Sequence, residues 1–215
     1  MTATARTAAA LLAAITWTGL TVQFHATFAL QGSLGSTLTV LLWYFTITTN
    51  LLVAVVFTGI AIGGDRFARP SLLGATTLYI LLVGVIYGLL LHGIEELSGG
   101  SAIANILLHV VTPILVPIYW LIFTPKGKLN RRDPLLWAIY PLAYLFYALI
   151  RGEFTGRYPY PFLNVDQLGW PRTILNAFLI AASFLVASKL FVWFDSSLGR
   201  RVPQPSNTRP LTKID

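Results

Sequence analysis

Long apolar runs, separated by short polar or Pro- and Gly-containing stretches, follow one another along this 215-residue sequence. A helix rises 1.5 Å per residue, so it needs about 20 mostly apolar residues to cross the hydrocarbon core of a bilayer. We expect six membrane-spanning helices, at Ala8–Leu30, Thr37–Ile62, Ser71–Leu91, Ala102–Phe123, Leu135–Ile150 and Thr173–Phe194. The fifth run is short, which indicates little tilt or an extension at one end. The pattern predicts an all-α polytopic bundle forming one domain, residues 1–199.

The two ends of the chain differ from the runs between them. The first run could be a signal peptide with Arg6 in its n-region. It is longer than a typical h-region, and no small-x-small cleavage site precedes a polar stretch, so we expect a transmembrane helix. Residues 200–215 are polar and Pro-rich, a composition typical of a disordered tail.

Composition supports a membrane protein and indicates its orientation. The chain is 55% hydrophobic and 11% charged, whereas soluble domains carry about 25% charged residues. The net charge of +7 could indicate a nucleic-acid partner, but the basic residues lie in short loops and the tail, as the positive-inside rule requires of cytoplasmic loops. We therefore expect no nucleic-acid partner and both termini in the cytoplasm. The loops on that side hold Arg6, Arg66, Arg69, Lys126, Lys128, Arg131, Arg132, Arg200, Arg201, Arg209 and Lys213, and the other side holds Arg151, Arg157 and Arg172.

The residues needed for metal or redox chemistry are sparse. The absence of cysteine excludes disulfides, thiolate nucleophiles and cysteine metal sites. His92 is followed by Glu95 and Glu96, but the second histidine of the known zinc motifs is missing. A b-type haem needs two facing histidines in mid-membrane, and only His109 lies deep in a span. We expect no metal and no cofactor.

A polar cluster early in the second span is the first candidate site. Thr46, Thr48, Thr49 and Asn50 occupy about one and a half turns of helix within WYFTITTN. Thr46, Thr49 and Asn50 share a face by their i, i+3, i+4 spacing. Several polar side chains on one membrane helix indicate a face turned towards the protein interior.

His109 is the second candidate. In NILLHVVTP it lies at a depth similar to that of Thr46 from the non-cytoplasmic side, with Asn105 one turn away. A hydroxyl is a weak nucleophile that an adjacent imidazole can activate. Thr46 and His109 are therefore a candidate nucleophile and base, with Thr48, Thr49, Asn50 and Asn105 as supporting or alternative residues. A structural hydrogen bond between helices, or a polar site for lipid binding or transport, would use the same residues.

The 22-residue segment between spans five and six is long and aromatic for a connector. Pro159 and Pro161 prevent a continuous helix there. The segment could form an aromatic belt at the membrane interface or dip into the bundle, where protein can bury irregular backbone.

Three stretches resemble the androgen-induced (FAR-type, "Pr-six-Pr") family of integral membrane proteins, in a bacterial branch. WYFTITTNLL (residues 43–52) is similar to the family's Trp-x-x-x-Thr-x-x-Asn/Asp-Leu pattern. NILLH (residues 105–109) is similar to Asn-His-x-Met-His before a proline, and TGRYPYPFL (residues 155–163) to Thr-Gly-x-x-x-Tyr-Pro-Phe-Leu. The order and spacing of the three agree across most of the chain.

Animal members of that family are threonine hydrolases of fatty acid esters of hydroxy fatty acids. The resemblance therefore implies a six-helix threonine hydrolase of lipid esters, located in a bacterial plasma membrane. His109 matches the family's catalytic histidine. A gap-free alignment places Ile47 at the nucleophile position, between Thr46 and Thr48, and a one-residue shift places Thr46 there. We expect a fatty acyl ester to reach Thr46 and His109 from the surrounding lipid, under a pocket cap formed by Thr155, Gly156, Tyr160, Pro161 and Phe162.

Overall fold

A computed structural model describes residues 1–94 and 96–200 of the chain. This part is helical and contains no β-strand. Five units are long and apolar enough to cross a bilayer, and α2 with α3 forms a sixth, bent unit. The predicted all-α membrane bundle of about six spans is confirmed. The helices are α1 (Ala3–Gln31), α2 (Leu34–Leu41), α3 (Phe45–Ala61), α4 (Pro70–Ile86), α5 (Gly99–Ile106), α6 (Thr112–Phe123), α7 (Asp133–Thr155) and α8 (Val165–Gly199).

The second span is not the continuous helix that the apolar run predicts. It bends by 94° between α2 and α3, without Gly or Pro at the break. Side chains of α7 bind one carbonyl group in α2 and one at the bend itself. The Tyr144 hydroxyl donates to the Trp43 carbonyl over 2.8 Å, and Arg151 donates to the Thr39 carbonyl over 2.9 Å. The break is therefore stabilised by tertiary contacts.

Two other spans contain π-helical segments, in which the backbone hydrogen bond runs from i to i+5. Tyr87–Leu91 extends α4, and Leu107–Val111 joins α5 to α6. The Thr112 N–H accordingly bonds the Leu107 carbonyl. Such segments are rare and occur frequently at functional sites.

The fifth and sixth spans also differ from prediction. Helix α7 has 23 residues, Asp133–Thr155, and extends beyond the predicted Leu135–Ile150 at both ends. Helix α8 begins at Val165 and is kinked at Gly169, whose φ is +70°. The segment between α7 and α8 is consequently shorter than the predicted connector, at residues 156–164.

Several contacts join loops and helix ends at one end of the bundle. Arg6 donates to the Ala61 carbonyl, and the Ser71 hydroxyl donates to Asp133. Lys126 donates to the Trp120 carbonyl and lies over the Trp120 ring. This end corresponds to the side predicted to be cytoplasmic. The predicted disordered tail from residue 201 onwards lies outside the described residues.

Candidate active site

Thr46 occupies the first turn of α3, and its hydroxyl group is directed away from its own helix. Buried helical threonines such as Thr16, Thr76 and Thr77 donate to the carbonyl four residues earlier. The residue four positions before Thr46 is Leu42, which precedes α3, so α3 offers the Thr46 hydroxyl no carbonyl one turn earlier. The Thr46 Oγ1 lies 3.1 Å from the Nε2 of His109 instead. The break in the second span therefore leaves this hydroxyl available to the imidazole.

The contact of the second ring nitrogen of His109 determines which of the two nitrogens carries the proton in the neutral ring. Its Nδ1 lies 3.3 Å from the backbone carbonyl of Asn105. A carbonyl only accepts hydrogen bonds, so Nδ1 must hold a proton. In the neutral ring Nε2 then has a free lone pair directed at the Thr46 hydroxyl. This is the tautomer in which histidine can accept the hydroxyl proton.

Asn50 ties α3 to the π-helical segment that carries His109. Its Nδ2 donates to the Leu108 carbonyl over 3.2 Å and to the Thr46 carbonyl over 2.9 Å. The Leu108 carbonyl needs such a donor because the Thr112 N–H bonds Leu107 and Pro113 has no N–H. Asn50 is fully buried, and its Oδ1 has no partner among the described residues.

Tyr87 supports the imidazole from α4. Its ring stacks on His109 with 4.5 Å between ring centroids and 28° between planes. The Asn105 side chain donates to the Tyr87 hydroxyl over 2.6 Å, so Asn105 contacts the pair through both its backbone and its amide. Helices α4 and α6 approach closely, since a Cβ on Gly84 of α4 would lie 2.8 Å from Pro113 of α6.

The structure separates Thr48 and Thr49 from this pair. The Tyr140 hydroxyl donates to Thr48 over 2.9 Å and lies 3.2 Å from the Thr49 hydroxyl. Thr48 in turn donates to the Phe45 carbonyl. Both hydroxyl groups therefore bind Tyr140 of α7, and that of Thr48 also binds the α3 backbone. Among the three threonines the geometry thus favours Thr46 as the nucleophile.

Two cavities meet at Thr46. The first, of about 100 Å³, lies among α4, α7 and α8 and is almost entirely apolar. The second, of about 420 Å³, is larger and more polar. Thr46, Tyr160 and Leu91 line both cavities, and among the described residues no Asp, Glu, Lys or Arg lines either. His109 and Ile47 line only the polar cavity. The other polar residues of that cavity are Gln23, Thr27, Gln31, Tyr44, Tyr87, Ser101 and Asn105.

Only part of the predicted pocket cap reaches these cavities. Tyr160 is 9% exposed and stacks on Phe162, with 5.1 Å between centroids and 5° between planes. Phe162 lines the apolar cavity and Pro161 the polar one. Thr155 and Gly156 are exposed and line neither, because α7 continues to Thr155 and Gly156 caps it in the left-handed conformation. Within this segment, the residues that line the cavities are therefore 159–163.

His92 is not part of the pair, and some residues of the site were not predicted. The His92 ring packs edge-on against Tyr87, whereas Glu95 lies outside the described residues. Tyr87 and Tyr140 were not predicted as site residues. Both sit within apolar runs, and nothing in the sequence pattern separates them from tyrosines that only fill space.

No family model matches the chain, and no curated protein or solved structure is significantly similar to it.

Proposed function

We propose that this protein is a membrane-embedded hydrolase of lipid esters, with Thr46 as nucleophile and His109 as general base. The observation that carries the proposal is the 3.1 Å contact between Thr46 Oγ1 and His109 Nε2 at the junction of an apolar and a polar cavity. A nucleophile hydrogen-bonded to a base, which a third group orients, is the general arrangement of covalent catalysis. The backbone carbonyl of Asn105 is the orienting group here.

The reaction has two halves. In the first, Thr46 Oγ1 bonds to the ester carbonyl carbon and its proton passes to His109 Nε2. The tetrahedral intermediate collapses, the bond to the alcohol oxygen breaks, and His109 returns the proton to the departing alcohol. In the second, water gives a proton to His109 as its oxygen attacks the acyl-threonine. The Thr46 oxygen then leaves with that proton, and the free acid is released.

The cavities indicate how an ester would lie. The apolar cavity between Phe45, Leu145 and Phe184 would take the part of the acyl chain next to the ester carbonyl. The alcohol portion and the attacking water fit the polar cavity. The resemblance to the androgen-induced family supports the same chemistry and the expected substrate class, fatty acyl esters drawn from membrane lipid. It also supports a bacterial plasma membrane as the location.

Transport or simple lipid binding would use the same pocket without chemistry. A transporter needs a polar route across the membrane, but the α3 residues beyond the pair are tightly packed and apolar. Val53, Val56, Phe57 and Ile60 are at most 2% exposed. This packing favours a hydrolase over a conducting protein.

Turnover of esters by variants of the purified protein tests the proposal. In nanodiscs we expect hydrolysis of a medium-chain p-nitrophenyl ester and of a long-chain acyl ester. Thr46→Val and His109→Gln should reduce turnover to the background rate, because each removes one member of the pair. Thr77→Val is the matched control, since that buried hydroxyl only bonds its own helix. Thr46→Val turning over at the wild-type rate would refute the proposal.

A further inference from the structure

Attack of Thr46 on an ester would create a negative charge that the catalytic pair does not stabilise. The π electrons of the carbonyl move onto its oxygen as the new C–O bond forms. Enzymes place hydrogen-bond donors where this charge develops, and removal of one donor costs about 10²–10³ in kcat. In the described part of the chain no Lys or Arg lines either cavity, so the candidate donors are neutral groups close to Thr46.

Tyr160 is placed to be one of these donors. It lines both cavities at their junction and is 9% exposed. Its hydroxyl group faces the Thr46 side chain, the backbone N–H groups of Phe45 and Thr46, and the Tyr144 hydroxyl. Burial raises the pKa of Tyr160, while the donors of Thr46 and Phe45 oppose that shift. The phenol therefore retains a proton that it can donate.

The surrounding contacts fix this hydroxyl in place. The Tyr160 ring lies between Phe162 and Tyr44, with centroid distances of 5.1 and 6.1 Å. The Phe162 carbonyl accepts a hydrogen bond from Asn176 of α8 over 3.0 Å. A donor held by packing on two sides needs little reorganisation when charge develops beside it.

The first turn of α3 adds to the effect. The N–H groups of Phe45 and Thr46 precede the first i→i+4 hydrogen bond of the helix, and no side chain caps this end. The helix dipole makes the same end favourable for negative charge. The N–H groups of Phe45 and Thr46 face the Tyr160 hydroxyl, so this positive end of α3 lies next to the proposed donor.

We propose that Tyr160 is a further catalytic residue, whose hydroxyl donates a hydrogen bond to the carbonyl oxygen of the ester as it becomes an oxyanion. The proton stays on Tyr160, and the bond strengthens as charge accumulates on the carbonyl oxygen. This inference rests on the proposed hydrolase function. The inference extends that function, because it assigns the group that stabilises the intermediate to the segment between α7 and α8.

The test compares an ester with its thionoester, in which sulfur replaces the carbonyl oxygen. Sulfur accepts hydrogen bonds poorly, so an enzyme that relies on a donor prefers the oxygen ester. We expect Tyr160→Phe to lower kcat for the oxygen ester about 100-fold, with KM little changed. We also expect the rate ratio of oxygen ester to thionoester to fall, which a merely structural role for Tyr160 would not cause.

Tyr158→Phe is the matched control, because Tyr158 lies in the same segment, packs against Gly152 and lines neither cavity. It should retain wild-type kcat and the wild-type ratio. If the wild-type protein hydrolyses the ester through Thr46 but Tyr160→Phe leaves the rate ratio unchanged, the role of Tyr160 is overturned and the proposed function stands. Wild-type protein without ester turnover overturns the proposed function and this inference together.

Discussion

Tyr140 gives a test of whether Thr48 and Thr49 are structural or catalytic. In Tyr140→Phe the ring and its packing against Phe45 and Tyr79 remain, but the hydroxyl between the two threonines is lost. That hydroxyl makes two hydrogen bonds, of 2.9 and 3.2 Å. Such bonds between membrane helices contribute about 0.6 kcal/mol each. We therefore expect the free energy of unfolding to fall by about 1 kcal/mol, with ester turnover little changed.

Tyr119→Phe is the matched control for that variant. The Tyr119 hydroxyl is also buried but has no hydrogen-bond partner among the described residues, and its ring packs against Phe57 and Phe123. Removing a buried polar group without a partner relieves its desolvation cost. This variant should be as stable as the wild type or more stable.

Unfolding by SDS in mixed micelles, followed by helical circular dichroism, measures both variants against the wild type. Equal stability of Tyr140→Phe and wild type would refute the hydrogen-bond assignment. Loss of turnover in Tyr140→Phe, with stability retained, would show that Thr48 or Thr49 takes part in the chemistry.

Two further variants test the elements that hold His109. Asn50→Leu should lower kcat/KM because the Leu108 carbonyl loses its donor, and it should lower the free energy of unfolding by about 1–3 kcal/mol because that buried carbonyl is left unpaired. Unchanged kcat/KM would contradict this role. Gly84→Ala should cost about 1–3 kcal/mol of unfolding free energy, since its Cβ would meet Pro113 at 2.8 Å, whereas Gly88→Ala has open space. Equal losses in the two glycine variants, measured by SDS unfolding, would contradict the close approach of α4 and α6.

The spans could be predicted because a bilayer imposes a minimum length of apolar helix. The second span shows the limit of that reasoning. Its composition is continuous from Thr37 to Ile62, and the bend arises because Tyr144 and Arg151, about 100 residues later, bind the carbonyls freed there. The fifth span ran past its predicted end because Arg151 and Glu153 are tolerated in the last turns of a helix, where charged side chains reach the interface.

The candidate pair could be found because polar residues are rare within apolar runs. Thr46 and His109 stood out by chemistry, and the structure brings them together. The sequence pattern did not separate Thr46 from its neighbours, since that distinction depends on where α3 begins. The π-helical segment around His109 also lacks a local signature apart from Pro113, because its free carbonyl is satisfied by Asn50 on another helix.

Labelling with a fluorophosphonate tests the central claim most directly, because the probe reacts much faster with a hydroxyl that a neighbouring base has activated than with other hydroxyls. Purified protein in nanodiscs would be labelled and the adduct located by mass spectrometry. We expect a covalent adduct on Thr46 that is lost in His109→Gln and retained in Thr77→Val. Folded protein without an adduct, or with an adduct on Thr46 that persists in His109→Gln, would contradict the claim that His109 activates Thr46.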